Sequence, residues 1–177
     1  MEKRFVALLR GINVGGQKKI KMADLKAILE ASGLQNVSTY IQSGNVVFEC
    51  EEQEKSKIEQ LIFTTIQKHY GFEVPTLVLK ATEIDSIIKN NPFKGKAEDN
   101  NLYFVLPKQE PDSDLTVEFN LLNFEHEDFL VSDNCVYLLC KKGYGKAKLN
   151  NNLIEKKLKV EATTRNLKTM QKLLEMV

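Results

Sequence analysis

The chain has 177 residues, of which 42% are hydrophobic and 28% charged, with a net charge of +1. Such a composition supports a globular core and excludes a disordered, collagenous or disulfide-stapled chain, while the small net charge argues against a general nucleic-acid binder. The 3 cysteines form no C-x-x-C, and the apolar run Phe5–Leu9 is too short for a signal peptide or a membrane span, so a cytoplasmic protein without a membrane partner is expected.

Phe5–Leu9 does not alternate and reads as a strand buried on both faces. The loop 11–21 follows it and is long beside the usual connection of roughly 2–6 residues. Met22, Leu25, Ile28 and Leu29 then recur at helical spacing, with Asp24 in the first turn, where a negative charge suits the helix dipole. Gly33-Leu34 forms a helix stop. Val37–Gln42 and Asn45–Glu49 read as a hairpin across Ser43-Gly44. A second helix carries Ile58, Leu61, Ile62, Thr65, Ile66 and Tyr70 on one stripe and stops at Gly71-Phe72. Val74–Lys80 is the next strand, completing β-α-β-β-α-β.

A connector helix, Thr82–Asn90, capped by Thr82 and stopped before Pro92, leads into the turn-rich stretch 91–100. The order then repeats: strand Leu102–Leu106, helix Leu115–Leu122, strand Phe129–Ser132, an Asp133-Asn134 turn, strand Cys135–Cys140, helix Leu149–Leu158 and an extended piece near Val160–Thr163. A last helix, Leu167–Met176, is appended. The expected fold is α+β, two tandem ferredoxin-like halves, 1–80 and 101–177, packed together and joined by the connector 81–100. Phe5–Leu9, Leu102–Leu106 and Val136–Cys140 are apolar on both faces. The face that each plait's helices leave open is therefore expected to be covered, by the other half or by a second copy of the chain in a homodimer.

Leu8-Leu9-Arg10-Gly11-Ile12-Asn13-Val14-Gly15-Gly16 with Lys19–Leu25, Thr39–Phe48 and Asn91-Pro92-Phe93 carry a resemblance to a known family. So do Gly143-Tyr144-Gly145, Lys148-Leu149, Asn152, Glu155–Leu158 and Ala162–Asn166. The chain resembles a widespread bacterial family, domain-of-unknown-function family 1697. Members often carry a tryptophan after the Arg-Asn pair, where Leu167 stands here. The resemblance implies the fold and the single-chain extent and brings no catalytic residue.

Charge is unevenly placed. Residues 10–21 hold Arg10, Lys18, Lys19 and Lys21 and no acid; residues 141–148 hold Lys141, Lys142, Lys146 and Lys148 and no acid. Removing these eight from the 25 basic residues leaves 17 against 24 acidic ones. Two basic, glycine-bearing loops thus sit on an acidic body, a pattern of solvation or of an anion site. Glycine N–H groups at Gly11, Gly15 and Gly16, with a helix N-terminus following, can cradle an oxyanion. The loop is not a Walker A motif, because Gln17 and Lys18 replace its Lys-Ser/Thr. With the first and third strands central and read as pointing the same way, both loops are expected to leave the same kind of sheet edge.

The candidate ligand-binding residues are therefore Arg10, Gly11, Asn13, Gly15, Gly16, Lys18, Lys19, Lys21, Lys146, Lys148 and Arg165. Arg165 and Asn166 are read as opening the last helix, with Asn166 its cap. Tyr144 amid lysines can stack on a base or pack over its own loop. His69, beside an apolar stripe, reads as a packing residue. His126 lies among Glu125, Glu127 and Asp128, a set that can ligate a hard metal but more often forms a solvated turn. No metal set, no cofactor and no Ser/His/Asp triad is nominated. Three functions stand open: a binding protein for a phosphate-bearing ligand, a small anion or a nucleic-acid backbone; a small phosphoryl or acyl hydrolase using Arg10 with Asn13 or Asn45; and an interaction module using an apolar sheet face.

Overall fold

A computed structural model of the protein describes residues 3–96 and 98–177. The chain divides into two units: the first extends through Ile84 and also takes Leu173–Val177, and the second is Asp85–Lys172. The first unit runs β1 (Arg4–Leu9), α1 (Met22–Ala31), β2 (Gln35–Tyr40), β3 (Asn45–Glu49), α2 (Lys55–Tyr70) and β4 (Thr76–Lys80). Its sheet has the strand order β2-β3-β1-β4, with every neighbouring pair antiparallel.

Side chains at alternate positions of β1 explain its unbroken apolar run. Phe5, Ala7 and Leu9 join Leu25 and Leu29 of α1 and Ile58, Ile62 and Ile66 of α2 in one core. Val6 and Leu8, which point the other way, are also fully buried in this single chain. Leu61, read from the sequence as part of the α2 stripe, is 37% exposed, because the buried residues follow the narrower four-residue spacing of Ile58, Ile62 and Ile66. The stop after α1 has the paired hydrogen bonds of a Schellman motif: Gly33 N–H donates to Glu30 O at 3.0 Å and Leu34 N–H to Leu29 O at 3.2 Å. Leu34 folds back onto the same core.

Helix α3 (Ala81–Lys89) starts directly after β4. Thr82 is inside it and is not its cap. Glu83 holds the entry instead, accepting from Lys80 N–H at 2.8 Å and pairing with Lys55 Nζ at 2.6 Å. The second unit runs β5 (Leu102–Pro107), α4 (Ser113–Asn120), β6 (Glu127–Ser132), β7 (Cys135–Cys140), α5 (Asn151–Leu158) and β8 (Ala162–Asn166), with α6 (Leu167–Met176) following. Its order is β6-β7-β5-β8, again antiparallel throughout. Val105, Val136, Leu138, Phe119, Ile154 and Leu158 form its core. All 6 residues of β7 are buried, and so are Phe104 and Leu106 of β5.

The β-α-β-β-α-β order therefore holds in both units, but one expectation about direction is overturned. β1 runs antiparallel to β3, and β5 antiparallel to β7. Central strands that are first and third in the chain point in opposite directions. The loop 10–21 follows a first strand and the loop 141–148 follows a third strand, so they leave opposite ends of their respective sheets. A second correction concerns Arg165, which is a residue of strand β8, paired with Phe104, and does not open α6. Asn166 does cap that helix, its Oδ1 accepting from Thr169 N–H at 2.8 Å.

A candidate ligand-binding groove beside the first loop

The long loop after β1 is itself a small hairpin. Val14 and Gln17 pair across Gly15 and Gly16, whose φ values of 56° and 75° are the two positive dihedrals that a two-residue type I′ turn requires. Gln17 N–H donates to Val14 O at 3.0 Å, and Asn13 N–H to Lys18 O at 3.2 Å. Ile12 and Ile20, one on each arm, are buried and anchor the hairpin in the core of the first unit. The glycines thus serve a turn at the exposed tip.

Asn13 is the clamp of this loop. Its Nδ2 donates to Ile20 O at 2.9 Å and to Gln42 O at 2.8 Å, and its Oδ1 accepts from Ile20 N–H at 2.9 Å. It ties the loop to the β2–β3 turn, which spans Ile41–Gly44 and is longer than the two residues read from the sequence. Gly44 lets that turn press against β1: its carbonyl accepts from Leu9 N–H at 2.7 Å, and a Cβ there would stand 2.6 Å from Leu9 Cβ and 2.9 Å from Ile12 Cδ1. Lys18 is also used structurally, its Nζ donating to Glu73 O at 2.7 Å.

The clamped loop walls a groove of about 580 Å³ in the first unit. Gly16, Lys19, Lys21, Asp24, Gln42 and Tyr70 contribute its polar lining, with Asn13, Ile20 and Met22 between them. Lys21 is the N-cap residue of α1 in extended conformation, and no side chain caps that helix. Lys19, Lys21 and Asp24 are exposed, and among the described residues none of the three side chains has a hydrogen-bond or ion-pair partner. Tyr70 closes the wall from the last turn of α2. Its Oη is buried and, among the described residues, has no hydrogen-bond partner. Burial, and then the negative charge of Asp24, push its phenol above the ordinary tyrosine value. The phenol therefore stays protonated at neutral pH and can both donate and accept.

Of the loop residues nominated by sequence, Asn13, Gly16, Lys19 and Lys21 line this groove, while Arg10, Gly11, Gly15 and Lys18 do not. Arg10 is half-buried beside Pro75, whose carbonyl accepts its main-chain N–H at 2.9 Å. Asn45 is fully buried, donating to Tyr40 O at 2.9 Å and Ser43 Oγ at 3.0 Å. Gln42 and Tyr70 are additions that the sequence reading missed. The signal for Tyr70 was a phenol at the very end of an apolar stripe, where a polar tip has to find a partner.

The second basic loop is arranged differently. Lys141 Nζ pairs with Asp128 at 3.0 Å, Lys142 Nζ lies 2.6 Å from His126 Nε2, and Lys148 N–H donates to Glu127 Oε1 at 3.1 Å. Lys146 is exposed. Tyr144 packs over its own loop: its ring stacks on Tyr103 at 4.8 Å, and its hydroxyl donates to Thr164 Oγ1 at 3.2 Å and accepts from Asn151 N–H at 2.9 Å. Arg165 is buried, with Nη1 donating to Thr163 Oγ1 and Thr164 O at 2.8 Å each, and burial pulls its guanidinium down to about 10. It remains charged at neutral pH. Burial also raises the thiol of Cys140 and the phenol of Tyr137, each to about 12. Among the described residues no group of three His, Cys, Asp or Glu side chains is placed to hold a metal, and no helix is long and apolar enough to cross a membrane.

Two four-stranded antiparallel sheets and their helices make this a mixed α+β protein. The chain belongs to the family described as protein of unknown function (DUF1697), whose family model matches residues 2–137. The glycine-lysine motif at 143–148 and the stretch 162–166 lie beyond that match. The structure is similar to that of the conserved bacterial protein SP0830 from Streptococcus pneumoniae, with 25% identity and a TM-score of 0.77 over 98% of this chain and 97% of that one. No curated protein matches the sequence.

Proposed function

We propose that the protein binds a small phosphate-bearing ligand in the groove between the 10–21 loop, the N-terminus of α1 and the end of α2. Each unit is read here as a ferredoxin-like plait, the two in tandem, with the groove at the exit of the first plait's first strand. The observation that carries the reading is the gathering on one wall of two unpaired lysines and an uncapped helix N-terminus. Main-chain N–H groups at a helix start and nearby ammonium groups favour an oxyanion through both dipole and charge. A volume of about 580 Å³ falls in the roughly 300–1,000 Å³ range of small-molecule sites, which favours a compact ligand over a nucleic-acid backbone.

The test is calorimetric titration with ribose 5-phosphate at low and high salt. Binding should weaken with salt, and Lys19→Ala with Lys21→Ala should weaken it by about tenfold or more, since a charge-assisted hydrogen bond is worth about 1.5–3 kcal/mol. Thermal stability should stay within about 0.5 kcal/mol, as for surface substitutions. Absence of binding, or binding that ignores both lysines, would refute the reading.

A further inference from the structure

We infer that the outer edge of β6 is a docking strand for a basic, extended polypeptide segment, which adds to the second sheet as a strand beyond β6. Lys141 N–H donates to His126 O at 2.9 Å, one step before the paired residues of β6 and β7. Antiparallel bonding alternates, so Asp128, Leu130 and Ser132 bond to β7, and the main-chain groups of Phe129 and Val131 face away from it. Among the described residues no other hydrogen bond takes up those groups.

An open edge is a template for pairing, and proteins usually block it. Among the described residues the other three edges of the two sheets carry such a block. In β2 the register shifts between Gln35 and Ser38, with Asn36 at a φ of 50°. In β4 the N–H of Val78 donates to Glu59 Oε1 at 2.9 Å and that of Lys80 to Glu83 Oε2 at 2.8 Å. In β8 the N–H of Ala162 donates to Glu155 Oε1 at 2.7 Å. β6 keeps its register with β7 from Glu127 to Ser132 and, among the described residues, its outward N–H groups have no such cap. Glu127 is buried and holds Lys148 N–H, so the open stretch is 129–132.

The apolar surface beside this stretch is uncovered too. α4 packs on β6 through the rings of Phe119 and Phe129, 5.1 Å apart. Val117 and Leu121, one helical turn apart, are 64% and 81% exposed, and Leu130 of β6 is 45% exposed. Charge selects the occupant. Residues 114–133 hold Asp114, Glu118, Glu125, Glu127, Asp128 and Asp133 and no lysine or arginine. Asp128 pairs with Lys141, but among the described residues the side chains of Glu118 and Asp133 have no partner. A second copy would bring the same acids to the same edge, where like charges repel. A strand that alternates basic and apolar residues satisfies the open main chain, the apolar side chains and the acids together.

The experiment titrates the full chain with a fluorescein-labelled peptide of alternating lysine and valine, read by fluorescence anisotropy. The control is the same peptide N-methylated at every residue, which keeps its charge and cannot donate from either edge. The unmethylated peptide should bind, more weakly as salt rises, and methylation should weaken it about tenfold or more. Hydrogen exchange at the Phe129 and Val131 amides should slow on binding. Val131→Pro removes an N–H that β7 does not use and should weaken binding about tenfold. Glu118→Lys with Asp133→Lys changes only exposed side chains and should weaken binding by a similar factor. Absence of binding, equal binding of the two peptides, or unchanged exchange at Phe129 and Val131 would overturn the inference. So would a wild-type chain that sediments as a dimer and becomes a monomer with Val131→Pro, a result that assigns the edge to a second copy.

Discussion

The segment between β1 and α1 and the segment between β5 and α4 occupy the same place in two sheets of the same strand order, and they differ in length, charge and capping. Residues 10–21 carry four basic side chains and no acid, and they deliver the chain to a helix that no side chain caps. Residues 108–112 are short and carry Glu110 and Asp112 against the single base Lys108, and Asp112 caps its helix, with Oδ1 accepting from Asp114 N–H at 2.9 Å and Leu115 N–H at 3.2 Å. A hollow of about 430 Å³ lies beside this second segment too, lined by Gln109, Glu110, Asp112 and Lys159 among others. Each helix start presents unsatisfied N–H groups and a positive dipole end. The second unit answers them with its own carboxylate. The first has Asp24 in its first turn but no side chain bonded to the N–H groups there, and two unpaired lysines lie beside them.

The largest effect that would sharpen this contrast is alkaline. Cys140 and Tyr137 belong to the second unit, and both are raised from ordinary values to about 12. The fold favours their neutral forms, so their contribution to stability is complete below about pH 9 and is lost as pH rises toward 12. Each unit of such a shift is worth about 1.4 kcal/mol. Denaturant titrations should give constant stability to about pH 9 and a fall of several kcal/mol beyond it, and Cys140→Ala should shrink that fall without moving its onset, because the buried thiol of Cys135 is also raised well above its ordinary value. The next effect belongs to the first unit. Gly44→Ala forces a Cβ to within 2.6 Å of Leu9 Cβ at a φ of 84°, and the mid-point in urea should drop by the equivalent of about 3 kcal/mol or more.

Exchanging the caps would break the contrast outright. Asp112→Ala should cost about 1 kcal/mol, the usual loss of a helix cap, and leave phosphate binding unchanged. Lys21→Asp should do the reverse, gaining a few tenths to 1 kcal/mol by capping α1 while abolishing phosphate binding. The smallest expected effect has a telling sign. Tyr70→Phe should raise stability, by about 1 kcal/mol, because it removes a buried hydroxyl that has no partner. Loss of stability instead would mean that the phenol is satisfied and serves packing alone.

The element order was legible because it rests on local signals: the unbroken apolar run of β1, the four-residue spacing of Ile58, Ile62 and Ile66, and the glycine stops at Gly33 and Gly71. Helix starts were less so. α4 begins at Ser113 because the Asp112 carboxylate captures two N–H groups, and α5 begins at Asn151 because Asn150 accepts from Leu153 N–H at 3.1 Å; apolar periodicity records neither. Strand direction was misread, since the relation of first to third strand is a property of pairing across the sheet. In the candidate site the lysines and glycines were legible as composition, but their roles were not. Asn13 acts as a clamp through a carbonyl 29 positions away in the chain, and Tyr70 reaches the groove from the end of another helix. Such contacts exist only once the sheet has assembled.

The most direct measurement is a ¹H–¹⁵N NMR titration of the full chain with ribose 5-phosphate, following amides at both helix starts. The expected result is saturable shifts at Gly16, Lys21, Met22, Ala23 and Asp24, with Asp114 and Leu115 unmoved. Shifts confined to residues 141–148 or to the start of α4, or no saturable shift at all, would contradict an anion site at the uncapped end of α1.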